Sequence, residues 1–289
     1  MFNSKYPIVA VAMNQVSNID FAIAVANAGA APGLFLFEYV DYNGLDSNLL
    51  EKDLIKFFKN TNSDLIVSTS TRQLEMFPDL ISILHNVGVK YIELVEKPHS
   101  YNIVHELKLR NINVFTKLLE FTPRLNKDLI DGIIFKSNAA AGRVSQTKSS
   151  TLTHVTELFK DEYNNKILVP SGGIYSSSQV IDLLNIGATA VGVGTLLALS
   201  AESPIPLETK RKLLGVNASM LSAIKTPDGQ QKAFVFDNVE GDDGNNTAGL
   251  RAGIQTGNHG HVFLGNAVDY VTEIKPVTQI IQELCTQVD

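Results

Sequence analysis

From residue 7 onward the chain alternates short runs of apolar, β-branched positions with longer segments whose apolar residues recur at helical spacing. Eight such runs stand out, at 7–12, 33–38, 64–69, 91–95, 113–117, 132–136, 167–170 and 190–194. Several are almost continuously apolar, as expected of strands that pack under helices on one face and fill a barrel with the other. Between them the spacing predicts helices at 18–27, 47–58, 74–87, 100–110, 150–163 and 176–186, several opened by a Ser or Asn cap. Gly29, Gly88 and Gly187 follow helical segments where a left-handed residue is wanted. Repeated strand–helix units specify an α/β protein with a parallel sheet, and eight of them favour closure into a (β/α)8 TIM barrel. An open doubly wound sheet uses the same units but places a glycine-rich phosphate loop after its first strand. The segment there reads Ala12-Met13-Asn14-Gln15-Val16, without a glycine.

After the eighth run the regularity breaks. Residues 226–260 are rich in Gly, Asn and Asp, including Gly241-Asp242-Asp243-Gly244-Asn245-Asn246, and are expected to form an irregular loop or lid. Order returns at 262–264, and a helix at 277–284 is expected to close the barrel. Barrels of this type run to roughly 250 residues or more as one unit, so residues 1–289 are expected to form a single domain.

Composition narrows the function without choosing it. A net charge of −6 and no dense run of Lys and Arg argue against nucleic acid and for a small-molecule substrate. No stretch has the length of a membrane span, and the N-terminus lacks a signal-peptide layout, so a cytoplasmic protein is expected. The single cysteine, Cys285, excludes an internal disulfide and a cysteine-built metal site.

The candidate chemistry gathers at the last two strand–helix loops, Ser171-Gly172-Gly173-Ile174 and Gly192-Val193-Gly194-Thr195. In a TIM barrel these loops sit at the C-terminal ends of the strands, where a phosphate commonly binds. Glycines let backbone N–H groups approach phosphate oxygens, and Gly194-Thr195 opens the next helix with further amides and a hydroxyl. Tight strand-to-helix turns alone also account for such glycines.

These loops, together with Pro7-Ile8-Val9-Ala10-Val11-Ala12-Met13, Ala26-Asn27-Ala28-Gly29, the run Ile186-Gly187-Ala188-Thr189-Ala190-Val191 and Ile274-Lys275-Pro276-Val277, resemble the nitronate monooxygenase (2-nitropropane dioxygenase) family. That family includes the FMN-containing enoyl-acyl-carrier-protein reductases. The resemblance spans nearly the whole chain outside the excursion. It implies an FMN-dependent oxidoreductase, of monooxygenase or ene-reductase type, with NAD(P)H as a further electron source and a homodimer as the assembly common among similar barrels. It also implies that Gly172, Gly173, Gly194 and Thr195 hold the FMN phosphate, that Met13 lies near the flavin ring, and that Ser68 or Thr69 contacts it from strand three. Ala141 and Gly142 fit the backbone of the strand-six loop, while Lys117 matches a lysine at the end of strand five. A cation there would stabilise an anionic reduced flavin; a salt bridge on the barrel rim is the competing reading.

The strand-six loop departs from the family pattern. Relatives read Glu-Ala-Gly-Gly-His or Glu-Cys-Ala-Gly-His, with the histidine as acid/base, whereas this chain reads Ala139-Ala140-Ala141-Gly142-Arg143. An arginine side chain is a permanent cation and cannot take a proton from a nitroalkane carbon, but it can orient a carboxylate, phosphate or nitronate oxygen. Lys136 stands where relatives often carry Asp, Glu or Gln, so two cations are expected at the site, which suggests a small anionic or conjugated substrate. His259 and His261 lie two apart on a segment read as extended, which points both to one side; His261 is the candidate for contact with substrate or flavin, and no third ligand supports a metal. His85, His99, His105 and His154 are expected on helices or helix starts away from the catalytic face. Two other readings stay open: a flavin-free phosphate-binding lyase, isomerase or synthase in which Lys117 or Lys136 forms a Schiff base, and a non-catalytic relative that acts through a partner.

Overall fold

A computed structural model of the chain describes residues 2–41, 44–95, 100–145, 151–226, 229–236 and 247–288. Eight parallel strands close into a barrel in sequential order: Ile8–Ala10, Ala31–Phe35, Ile66–Thr69, Tyr91–Leu94, Asn113–Leu118, Gly132–Lys136, Ile167–Ser171 and Val191–Val193. They are called strands one to eight below. Strand eight pairs with strand one in the register Ile8↔Val191, so every strand has two neighbours and the sheet has no edge.

All eight expected runs form strands. Strand two is shifted, because Leu36, although part of the same apolar run, turns with Tyr39 into a 3-10 helix, Leu36–Tyr39, and packs in the layer of outer helices. The expected helix at 74–87 is two helices, Thr71–Met76 and Leu80–Asn86, since Pro78 lacks the N–H that would continue the first. Of the expected caps, Asn18, Ser100 and Ser176 cap their helices, while Asp46 caps Ser47–Asn60 and Thr151 caps Leu152–Glu162. Asn18, Ser70, Ser100 and Thr151 each accept from a first-turn amide, and Ser176 with Gln179 forms a reciprocal capping box. Gly29, Gly88 and Gly187 have φ of +91°, +99° and +111°.

Side chains alternate across each strand, so the barrel interior can be read two residues at a time. Its lower layer is apolar: Val9, Ala31, Ile66, Tyr91, Phe115, Ile134, Val169 and Ala190 form one buried cluster, which Phe2 enters with its ring 5.1 Å from that of Tyr91. The fit is tight enough that a Cβ on Gly132 would lie 1.7 Å from the Phe115 ring. Two residues further along strands three to seven the inward positions turn polar: Ser68, Glu93, Lys117, Lys136 and Ser171. On strands one, two and eight they are Val11, Gly33 and Gly192. The barrel is therefore sealed below and chemically lopsided above.

The stretch 226–260 is more regular than its composition suggests. Ser222–Thr226 and Gly229–Val235 form an antiparallel pair, and the second of these strands also pairs with Gly142–Val144 from the strand-six loop and with His261–Val262. Thr247–Thr256 is a helix. Its glycines explain why it reads as a loop: a Cβ on Gly253 would lie 2.2 Å from the His261 carbonyl oxygen, and one on Gly260 would lie 2.1 Å from the Gly249 carbonyl oxygen. Here glycine serves close backbone docking. Gly241 to Asn246 lie outside the described residues. Val277–Leu284 is helical over the expected span, and among the described residues no helix is long and apolar enough to cross a membrane.

Candidate active site

Above the polar layer, at the C-terminal ends of the strands, lies a cavity of about 380 Å³. Small-molecule sites typically have this size and position. Its wall divides into two parts of different chemistry.

Strands four to six and the loop after strand six supply charge. Glu93 is 1% exposed and forms an ion pair with Lys117, which lines the cavity. A carboxylate this deeply buried needs such a partner to remain ionised. Lys117 is thus both a wall residue and half of a salt bridge. Lys136, on the next strand, also lines the cavity, and its Nζ makes no hydrogen bond or ion pair with any described residue. Burial pushes its pKa down to about 7; repulsion by Lys117 and Arg143 acts in the same direction, and Glu93 partly opposes them. Its Nζ would lie 3.5 Å from a Cβ on Gly142, which places the amine against the strand-six loop. Gly142 has φ of +63°, and Arg143 follows it on the edge paired with Gln231, exposed yet part of the cavity wall.

Strands seven and eight supply backbone. Gly172 and Gly173 have φ of +102° and +76°. A Cβ on Gly172 would lie 2.6 Å from Ser137 Oγ, and one on Gly173 would lie 2.7 Å from the Ala139 Cβ. The two glycines therefore let the loops after strands six and seven close on one another, which the turn-only reading does not require. Gly194 precedes the short helix Thr195–Ala198, and a Cβ there would lie 3.2 Å from Val11 and 3.7 Å from the Met13 sulfur. The N–H groups of Gly173 and Gly194 donate to no described protein group, while that of Gly172 lies in the ladder that pairs strands seven and eight; all three residues line the cavity. Thr195 is also in the wall, with its hydroxyl oxygen accepting from the Gly265 N–H at 2.9 Å. Free amides converging on one cavity suit an anion such as a flavin phosphate, so these residues fit the group that the sequence resemblance implies.

Met13, Lys117, Lys136, Ala141, Gly142, Arg143, Gly172, Gly173, Gly194 and Thr195 thus meet at one cavity. Ser68, Thr69 and His261 are not in its wall. Ser68 Oγ is buried in the polar layer, without a hydrogen-bond partner among the described residues, and Thr69 Oγ1 donates to Gln73 Oε1 at 2.9 Å. His261 is buried against the helix Thr247–Thr256, its ring 5.2 Å from that of Phe263, while His259 is exposed. Gly260 between them has φ of +77°, which breaks the extended geometry expected to point the two histidines the same way. His85, His105 and His154 are exposed on outer helices; His99 lies outside the described residues.

No family model matches the chain, and comparison with curated proteins yields no significant match. Solved structures do match. FabK from Thermotoga maritima superimposes with a TM-score of 0.78 at 18% identity, over 97% of this chain and 92% of the other. Nitroalkane oxidase from Streptomyces ansochromogenes gives 0.76 at 16% identity, over 98% and 95%. The enoyl reductase domain of MlnA from the macrolactin biosynthesis cluster of Bacillus amyloliquefaciens gives 0.63 at 13% identity, over 80% and 64%.

The chain has the fold of these proteins. Their company is the one the glycine loops suggested, and at such identities the likeness speaks for architecture; the chemistry has to be argued from the cavity.

Sequence reasoning passed over Glu93. Its signal was a carboxylate in the middle of the apolar strand Tyr91–Leu94, where period-two alternation turns it inward beside Lys117. The hairpin was also missed, although Pro227-Asp228-Gly229 between two short runs is turn chemistry.

Proposed function

We propose that the protein is an FMN-dependent oxidoreductase acting on a small anionic or conjugated substrate. The observation that carries this reading is the pair of free amides on Gly173 and Gly194, which line a single cavity at the barrel position where phosphate groups bind. The shared architecture with FabK and nitroalkane oxidase agrees with it. In this reading those amides and Thr195 hold the FMN phosphate, and Met13, beside Gly194, lies against the ring system. A bound flavin supplies hydride or electron transfer, taking electrons from the substrate or from a reduced nicotinamide.

The remaining groups set what the site accepts. Lys117, held by Glu93, keeps a fixed positive charge in the wall, and Arg143 offers a planar pair of donors to a carboxylate or nitronate. Because Arg143 stands where relatives carry histidine, the site orients an anion and does not deprotonate a neutral nitroalkane. A preformed nitronate or a conjugated acid suits this arrangement. The hairpin strands Ser222–Thr226 and Gly229–Val235 and the helix Thr247–Thr256 act as a roof, contributing Gln231, Leu250 and Ile254 to the wall.

The test is an absorption titration of the purified protein with FMN, repeated on Gly194→Asp. Perturbed flavin bands with the wild type and none with the variant support the reading. Absence of binding by the wild-type protein would overturn it.

A further inference from the structure

Three lysines among the described residues have a lowered affinity for their proton, chiefly through burial: Lys136, Lys210 and Lys232. Two of them have structural work. Lys210 Nζ donates to the carbonyls of Ala201 and Ser203 at 3.1 and 2.8 Å, and Lys232 Nζ donates to the Asn138 carbonyl and to Asn266 Oδ1. Lys136 has no acceptor among the described residues and opens into the cavity. A desolvated amine beside another cation is the arrangement that makes a lysine a nucleophile near neutral pH. The charged groups acting on it are Lys117 from strand five, Glu93 from strand four and Arg143 from the loop above. The Arg143 guanidinium in the same wall is a donor for an anion, so a carbonyl compound that carries a negative group has both of its ends provided for.

We propose that Lys136 condenses reversibly with the carbonyl carbon of a small aldehyde or oxo acid bearing a carboxylate or phosphate, which makes the barrel mouth a Schiff-base site. The amine lone pair attacks the carbonyl carbon to give a carbinolamine, and water then leaves with the carbonyl oxygen and the two amine hydrogens. A C=N bond replaces C=O, and nothing is oxidised or reduced. The proposal uses the cavity and its lysine and stands independently of flavin binding.

The experiment traps the imine in the full-length protein with cyanoborohydride near neutral pH and locates the adduct by peptide mass mapping. Glyoxylate serves as the carboxylate probe and pyridoxal 5′-phosphate as the phosphate probe, with acetaldehyde and pyridoxal as their uncharged counterparts. Lys136 is expected to be modified first, at least about tenfold faster than exposed lysines such as Lys59 and Lys90. The charged probe that outpaces its uncharged counterpart identifies the anionic group the site prefers. Lys117→Met removes a repelling cation, so the pH midpoint of Lys136 labelling moves upward while labelling itself survives. Label spread evenly over surface lysines, or Lys136 reacting no faster than Lys59, would overturn the proposal, and this outcome is read independently of whether FMN binds.

Discussion

The two walls of the cavity present an anion with different physics. The wall from strands seven and eight is backbone: Gly173 and Gly194 offer N–H dipoles fixed by the fold, and no charged side chain from these strands enters it among the described residues. The wall from strands five and six is side chain: Lys117, paired with buried Glu93 behind it, unpaired Lys136 and exposed Arg143. Fixed dipoles have no protonation state and cost little to hold in place, so they suit a permanent ligand such as a cofactor phosphate. Side-chain charges can be tuned against each other and against burial, so they suit the group that changes during turnover. The barrel keeps fixed dipoles and tunable charges on opposite sides of one mouth.

The largest effect should come from breaking the charged wall at its base. Glu93→Gln removes the carboxylate that compensates Lys117 and leaves two lysines facing each other over an apolar layer. A loss of about 2–4 kcal/mol in urea unfolding is expected, with the barrel intact by circular dichroism. An unchanged urea midpoint would mean that the pair is solvated and that the polar layer is not a low-dielectric environment.

A smaller loss is expected from the backbone wall. Gly172→Ala must place a Cβ 2.6 Å from Ser137 Oγ at a φ of +102°, for a cost of about 1–3 kcal/mol. Because the strain displaces the very amides that face the cavity, FMN affinity should fall by about tenfold or more in the same variant. Loss of stability without loss of affinity would separate loop packing from anion binding.

A third effect, spread over several pH units, is a pH dependence that only the charged wall can show. The pKa of Lys136 in the folded protein is about 7 against an ordinary 10.5, so between those values the unfolded chain binds more protons. Stability from this residue therefore rises as pH increases across that window. Lys136→Met should flatten the rise and stabilise the protein most below pH about 7, as read from urea midpoints at about pH 6 and about pH 9. A wild-type profile that the substitution leaves unchanged would mean that Lys136 is hydrated.

The barrel was legible in the sequence because strand and helix periods are local and repeat eight times; even the strand ends at 113 and 132 coincide with expectation. The glycine wall was legible for the same reason, since Gly172-Gly173 and Gly194 sit at fixed offsets from their strands. What escaped depends on contacts between distant segments. Glu93 gains its meaning only beside Lys117, one strand away, and Lys136 becomes a perturbed amine only when Lys117 and Arg143 are brought near it. The helix Thr247–Thr256 was obscured because Gly249 and Gly253 act in docking against 260–261, a requirement set by tertiary packing. His261 was chosen for its residue type and for a predicted extended segment, and Gly260 removes that geometry.

The central claim, that backbone amides of strands seven and eight hold a phosphate, is tested most directly by comparing the affinities of the wild-type protein for FMN and riboflavin by isothermal titration. The two ligands share a ring system and differ by the phosphate alone. The account predicts that FMN binds at least about 100-fold more tightly, or about 2.7 kcal/mol. Equal affinities, or binding of neither, would contradict it.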